Sequence, residues 1–405
     1  MTTFVIVGGG LAGAKAAETL RAENFDGEIV LFAEERDRPY ERPPLSKGYL
    51  LGKADRDSAF VHPADWYGEH DVDLRTGTAV TAIDPAAHTV TSAAGTQSYD
   101  KLLLAMGAAP RRIGIPGADL DGVLYLRRLG DSDRLREAFR GGARVVVLGA
   151  GWIGLETAAA AVLAGCHVTV VEPQPGALHA QLGPELGAVF GALHAAHGVE
   201  FRFGETATEF HGDAAGHVGS VLTSAGALLP AAAVVVGIGA VPSTALASAA
   251  GLEVDNGVVT DAALRTSAPD VFAAGDVANS YHPLLRRRVR VEHWANALNG
   301  GRAAARSMLG QEVEYNRVPY FYSDQYDLGM ECSGLPEPGR YDRVTYRGDP
   351  STLEFIAFWL SGGRLVAGMN VNVWDVTDDI QSLIRSGREL DTTRLTDPAI
   401  PLAEV

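Results

Sequence analysis

One glycine pattern occurs twice in this chain, each time between an apolar run and an alanine-rich stretch. Gly8, Gly10 and Gly13 follow Phe4-Val5-Ile6-Val7, and Gly149, Gly151 and Gly154 follow Val145-Val146-Val147-Leu148. Both fit G-x-G-x-x-G. In each case an acidic residue closes a second β-like run: Glu34, with Glu35 beside it, after Ile29-Val30-Leu31-Phe32, and Glu172 after Val168-Thr169-Val170-Val171. Glycines permit the tight turn, the close approach of backbone to a pyrophosphate, and close helix packing. The helix N-terminus then receives the phosphates, and the acid takes the ribose hydroxyls. One match alone is a weak signal. Two in full context predict two dinucleotide sites, and a chain holding two dinucleotides usually passes electrons between them.

The length of 405 residues predicts two or three domains. No apolar run is long enough to span a bilayer. The first fingerprint strand begins within a few residues of Met1, which leaves no room for a signal peptide and predicts a cytoplasmic protein. A net charge of −16 argues against nucleic acid as the main partner. Cys166 and Cys332 are the only cysteines and form no C-x-x-C, so a dithiol redox motif is absent and both read as small buried apolar residues. The eleven histidines lack ligand spacing, so no metal site is expected. No serine-nucleophile elbow appears.

Residues 3–35 and 144–172 each read as strand, helix, strand. Between them, Pro39 to Lys47 is too proline-rich for a regular strand and ends at an expected helix start, residues 72–106 alternate like strands, and the glycines and prolines from Gly107 to Gly117 mark a boundary. The segment 199–229 predicts short antiparallel strands. Val234 to Gly239 is a buried strand ending at a second crossing near Pro242, and Asp270 to Asp276 is a short strand closing on Gly275-Asp276. Residues 292–309 read as a helix. From about 313, aromatic and β-branched residues predict an antiparallel sheet closed by a helix near Asp378–Ser386.

The fingerprint pair, Pro39–Lys47, Thr266-Ser267 ahead of Ala273-Ala274-Gly275-Asp276, Glu292 to Ala297, Ser323-Asp324-Gln325-Tyr326 and the tail from Asp397-Pro398 to Pro401-Leu402 form an ordered set. Together they resemble the FAD-dependent NADH:ferredoxin reductases that feed bacterial cytochrome monooxygenases and ring-hydroxylating dioxygenases. The resemblance implies an α/β fold with two Rossmann-like dinucleotide-binding domains, for FAD and NAD, and a C-terminal α+β domain. The FAD-binding domain would be discontinuous, over 1–112 and 238–312, with the NAD-binding domain over 113–237 and the C-terminal domain over 313–405.

It also implies roles. Gly8, Gly10, Ala12 and Gly13 would approach a non-covalent FAD, and Glu34 would bind its adenosine ribose, with Glu35 the close competitor. Val80, Arg127, Gly239, Asp276 and Trp294 complete the expected cofactor set. Arg128 competes with Arg127, Asp276 could equally be a helix N-cap, and Trp294 could equally fill a core. Lys47 is implied beside the flavin ring and paired with Glu156, where a fixed cation supports charge arriving on the ring. The plain alternative is a solvated lysine and an ordinary helix-start glutamate. Gly149, Gly151, Gly154 and Glu172 would hold NADH, the carboxylate repelling a 2′-phosphate. One departure bears on affinity: relatives often carry arginine shortly after this glutamate, where Pro173-Gln174-Pro175-Gly176 stands here. Trp152 either shields the nicotinamide or packs, and Tyr320-Phe321-Tyr322 either floors the nicotinamide pocket or, the favoured reading, is sheet core.

Arg286, Arg287, Arg288 and Arg290 form a basic run in an acidic chain. It either steers docking of an acidic iron–sulfur ferredoxin or is a solvated face. Monomer and homodimer both remain open. The competing functions are a flavin-holding redox sensor resembling apoptosis-inducing factor, and a disulfide or peroxide reductase, which would need a thiol near the flavin.

Overall fold

The strands Thr3–Val7, Glu28–Phe32 and Lys101–Leu104 are apolar without alternation, the pattern of strands covered on both faces. In the computed structural model, which describes residues 1–405, they are the centre of a five-stranded parallel sheet. Its order is Val271–Ala273, Lys101–Leu104, Thr3–Val7, Glu28–Phe32, Val72–Arg75. Val5, Ile6, Val30, Leu31 and Leu102 are fully buried there. This sheet belongs to one of two compact units, made of Met1–Arg42, Arg56–Ala109 and Ala240–Pro319. The fingerprint helix Leu11–Ala22 packs on the helix Trp294–Met308. The approach is backbone to backbone: a Cβ on Gly301 would lie 2.2 Å from the Ala12 carbonyl oxygen. Antiparallel sheets of Val80–Asp84, Thr89–Ser92 and Gly95–Ser98, and of Ala278–His282 with Arg287–Val289, complete this unit.

The other unit comprises Pro43–Asp55, Pro110–Gly239 and Tyr320–Val405. It repeats the parallel sheet, in the order Glu200–Phe203, His167–Glu172, Arg144–Leu148, Ala233–Val236, Val123–Leu124. It also holds a five-stranded antiparallel sheet in the order Tyr320–Gln325, Leu328–Gly334, Arg364–Val371, Glu354–Ser361, Arg343–Asp349. One hydrophobic cluster runs through both, joining Val147, Leu155 and Phe190 to Met330, Trp359 and Met369. The helix Thr377–Ser386 packs on the antiparallel sheet with Asp378 and Asp379 in its first turn and Arg385 in its last, matching its dipole. No helix is long and apolar enough to cross a membrane.

Two local expectations change, and one is refined. Lys47 does not begin a helix; it follows the 3-10 turn Pro43–Ser46 in a run of turns, its N–H donating to the Pro44 carbonyl. Residues 200–203 are not part of an antiparallel set: they pair in parallel with His167–Glu172, because the helix Pro184–Ala196 carries the chain back across the sheet. The stretch 72–106 divides between two sheets, its ends joining the parallel one and its middle forming the antiparallel one.

Candidate functional site

The first glycine turn is set by contacts that only glycine allows. Gly8 has φ +128° and a Cβ there would meet the Ala105 oxygen at 2.2 Å; a Cβ on Gly13 would meet the Gly8 oxygen at 2.1 Å. Gly10 differs, since a Cβ there would meet nothing within 4 Å. Gly10 is also the N-cap of the following helix, with no side chain capping it and no acid in its first turn. The result is an open backbone cradle at a positive helix end, which suits a pyrophosphate.

The second turn copies the first. Cβ atoms on Gly149 and Gly154 would lie 2.5 Å from the Gly237 oxygen and 2.0 Å from the Gly149 oxygen, whereas Gly151 faces only Gln181 Nε2 at 3.7 Å. Gly151 likewise N-caps an uncapped helix, Trp152–Leu163. Glu172 ends the neighbouring strand, buried, and both of its oxygens accept backbone hydrogen bonds, from Ala150 N–H at 2.7 Å and Gln174 N–H at 2.8 Å. Its carboxylate is thereby locked onto the glycine turn. Trp152 packs edge-on against Phe190 and Phe321, with ring centroids 5.6 and 5.1 Å away.

Glu156, one turn into the second fingerprint helix, is only 5% exposed and is surrounded by donors. Lys47 Nζ lies 2.7 Å from its Oε1, Ser323 Oγ donates to the same oxygen at 2.6 Å, and Ser46 Oγ donates to Oε2. The Lys47 ammonium also sits 5.5 Å over the Tyr322 ring. Burying an ion pair is favourable only when its remaining lone pairs are satisfied, and here the hydroxyls satisfy them. The pair expected from the resemblance is thus made, and the lysine is compensated by Glu156 and not by helix position. Burial pushes the Asp324 carboxyl above the ordinary carboxylate range; Lys47 opposes this, while Glu156 and Glu331 add to it. Ser46, Ser323 and Gln325 carried no assigned role in the sequence. The quartet 323–326 signalled the last two, and the run Pro39–Lys47 signalled Ser46.

In the other unit the two candidate acids separate. Glu35 is committed, accepting from Arg42 Nη2 at 3.0 Å and from Tyr40 Oη at 2.5 Å, while Glu34 is exposed. Burial opposes the Arg42 charge, but Tyr40, Glu35 and Asp276 together hold its guanidinium above the ordinary range. Asp276 lies in the 3-10 turn Gly275–Val277, half-buried, and Gly275 touches Ala12 closely enough that a Cβ would lie 3.1 Å from the Ala12 Cβ. Burial lowers the His293 pKa to about 4, with Asp276 opposing, so this N-cap residue of the helix Trp294–Met308 is neutral. Trp294 is half-buried, and Val80 is a buried strand residue.

Arg127 N–H donates to Asp131 at 3.0 Å ahead of the helix Leu129–Ala138, and the Gly239 carbonyl accepts from Arg111 N–H at 2.9 Å. Tyr320, Phe321 and Tyr322 are half-buried and not interior: Tyr320 donates to Glu331 at 2.6 Å, and Phe321 and Tyr322 meet Trp152 and Lys47. Of the basic run, Arg288 donates to the Thr260 carbonyl at 2.5 Å and Arg290 pairs with Glu292, so both turn back onto their own unit. Arg286 is exposed, in a turn with φ +52°. Both cysteines are free and buried, and burial pushes both thiols up.

Comparisons with known proteins agree across the chain. Residues 2–301 match the family of pyridine nucleotide-disulphide oxidoreductases, and residues 320–405 match the reductase C-terminal family. The chain is 41% identical to the ferredoxin–NAD(+) reductase component of the anthranilate 1,2-dioxygenase system of Burkholderia cepacia, over 98% of each chain. It is 37% identical to putidaredoxin reductase of Pseudomonas putida, over 99% of this chain and 96% of that one. Its fold superposes on the reductase in a covalent putidaredoxin reductase–putidaredoxin complex with a TM-score of 0.96, at 36% identity, covering 100% of this chain and 97% of the other. On this evidence the chain belongs to the pyridine nucleotide-disulphide oxidoreductase family, among its ferredoxin reductases.

Proposed function

We propose that this protein is an FAD-dependent, NADH-specific reductase of an iron–sulfur ferredoxin that serves a cytochrome monooxygenase or a ring-hydroxylating dioxygenase. The observation that carries this reading is the repeated cradle at an uncapped helix N-terminus, where a dinucleotide pyrophosphate fits: a Cβ on Gly10 would meet nothing within 4 Å, and one on Gly151 only Gln181 Nε2 at 3.7 Å. The assignment is FAD on the Gly8–Gly13 turn and NADH on the Gly149–Gly154 turn. It keeps 1–112 with 238–312 as the FAD-binding part, 113–237 as the NAD-binding part and 313–405 as the C-terminal domain. When bound, the flavin accepts two electrons from NADH as a hydride and releases them singly.

The chain's own residues do the rest. Glu34 takes the adenosine ribose of FAD, since Glu35 is held by Arg42 and Tyr40. Asp276 and the N-terminus of the helix Trp294–Met308 bind the flavin's polar groups. Lys47, its charge fixed by Glu156, supports negative charge on the ring. Glu172 receives the NADH ribose hydroxyls and repels a 2′-phosphate. Arg286, exposed in its turn, and the adjoining Arg287, Arg288 and Arg290 offer positive charge to an acidic partner. A disulfide or peroxide reductase is disfavoured because both thiols are buried and raised in pKa.

The test is an anaerobic stopped-flow titration of the flavin-loaded protein, first with NADH and then with NADPH. Fast bleaching by NADH and slow bleaching by NADPH is the expected result. Slow bleaching with a persistent long-wavelength band would favour a redox sensor, and no retention of FAD on reconstitution would remove the cradle argument.

A further inference from the structure

A line of side chains leads away from Glu156, deep in the unit that holds it. Ser323 Oγ is 2.6 Å from Glu156 Oε1, Gln325 Nε2 is 3.1 Å from Ser323 Oγ, His194 Nε2 is 2.8 Å from Gln325 Oε1, and Tyr326 Oη is 3.3 Å from His194 Nδ1. Ser323, Gln325 and His194 are at most 1% exposed. Buried polar groups cost about 1–3 kcal/mol each when unsatisfied, so a line of this length is stable only if every proton has a place.

The proton positions follow by elimination. The Glu156 oxygen facing Ser323 accepts, so the serine hydroxyl donates to it and receives the Gln325 amide N–H. The reversed amide would set Gln325 Oε1 against a hydroxyl whose proton is already committed. Gln325 Oε1 therefore faces His194, and the proton on that ring is on Nε2. Nδ1 is left as an acceptor for the Tyr326 hydroxyl. Burial lowers the His194 pKa to about 4; Gln325 opposes this and His197 adds to it, so the ring is neutral. Every donor points toward Glu156. An amide does not exchange its donor and acceptor ends, so this is a fixed line of dipoles and not a proton wire. Its outer end is anchored by unusual backbone: Tyr326 has φ +58°, rare for a large side chain, and its ring stacks on His197 at 3.7 Å.

We propose that His194, Gln325 and Ser323 are positioning residues for the Lys47–Glu156 pair. Their aligned dipoles fix the orientation of the Glu156 carboxylate and, through it, the place of the Lys47 ammonium. The proposal rests on the reading of Lys47 as the flavin's cation.

Two measurements test it. In the first, 15N-histidine NMR of the intact flavin-loaded protein reads the tautomer, with the signal assigned by its loss in His194→Asn. His194 should be protonated on Nε2 and remain neutral from about pH 8 to about pH 5; an Nδ1–H tautomer, or titration near the ordinary pKa of about 6.5, overturns the proposal. In the second, flavin midpoint potential and NADH kinetics are compared among Ser323→Ala, Ser323→Thr and Gln325→Met. Losing one hydrogen bond to a charged group predicts an approximately tenfold slower bleaching by NADH in Ser323→Ala, with apparent NADH affinity changed by no more than about twofold. The midpoint potential should move in the same variant, Ser323→Thr should recover both, and Gln325→Met should repeat the signs of Ser323→Ala. Parent-like rates and potentials in these variants overturn the proposal. A parent protein that NADH does not bleach overturns instead the function on which it rests. If the variants do not fold, the tautomer in the parent protein decides.

Discussion

At the scale of single residues, the cofactor choice we propose concentrates on Glu172. Its two oxygens are already bound by Ala150 and Gln174 N–H groups, so the carboxylate cannot swing away from an incoming 2′-phosphate. Glu172→Gln keeps one acceptor and removes the charge. The NADH-over-NADPH ratio of apparent affinities should fall by about tenfold, the worth of one charge-assisted contact. An unchanged ratio would take the role away from this residue. The neighbouring stretch Pro173 to Gly176 supplies no basic side chain, which leaves Glu172 as the charged determinant in this loop. The two acids that the sequence left in competition, Glu34 and Glu35, were separated only by their partners. Arg42 and Tyr40 lie several residues away and hold Glu35, a preference no spacing rule expresses.

At the scale of elements, the glycine turns are packing devices before they are binding devices. Gly154 lies against the Gly149 oxygen and the Val147 side chain, so the helix Trp152–Leu163 meets its preceding strand with no room for a methyl group. Gly154→Ala would drive a Cβ to 2.0 Å from backbone, which must move. Overpacking of this kind costs about 1–3 kcal/mol. The expected outcome is a lower melting temperature together with weaker NADH binding, read by thermal denaturation and by titration. A variant as stable as the parent would show that the turn relaxes freely. Elsewhere, element type was harder to read. The proline-rich run before Lys47 ends in a short 3-10 turn and not a helix, and Glu200–Phe203 joins a parallel sheet because of the helix before it. Neither outcome is encoded within the few residues concerned.

At the scale of the whole molecule, partner recognition sets local charge against global charge. The chain carries −16, yet Arg286, Arg287, Arg288 and Arg290 stand in one short segment. Reversing Arg286 and Arg287 to glutamate should slow reduction of an acidic iron–sulfur partner severalfold at low salt. The gap should close as ionic strength rises, because screening acts over about 10 Å at 0.1 M. Reduction of a small neutral acceptor should not change. Equal loss with both acceptors would indicate damage to the fold.

What the sequence alone determined is local. The glycine contacts join residues five apart, Gly13 to Gly8 and Gly154 to Gly149, and the strands beside them declare their burial by unbroken apolar composition. Such features repeat wherever the same short-range sterics operate, so both cradles and the α/β class were legible. The charged pair was legible only by resemblance. Of the line behind it, Ser46, Ser323 and Gln325 lay in segments that carried the resemblance but had no role, and His194 had no signal: with Glu156 they come from a turn, two helices and a strand spread over 280 positions of chain. Only the tertiary structure brings them within hydrogen-bond distance, and it is burial, a property of the folded chain, that makes each of their protons count.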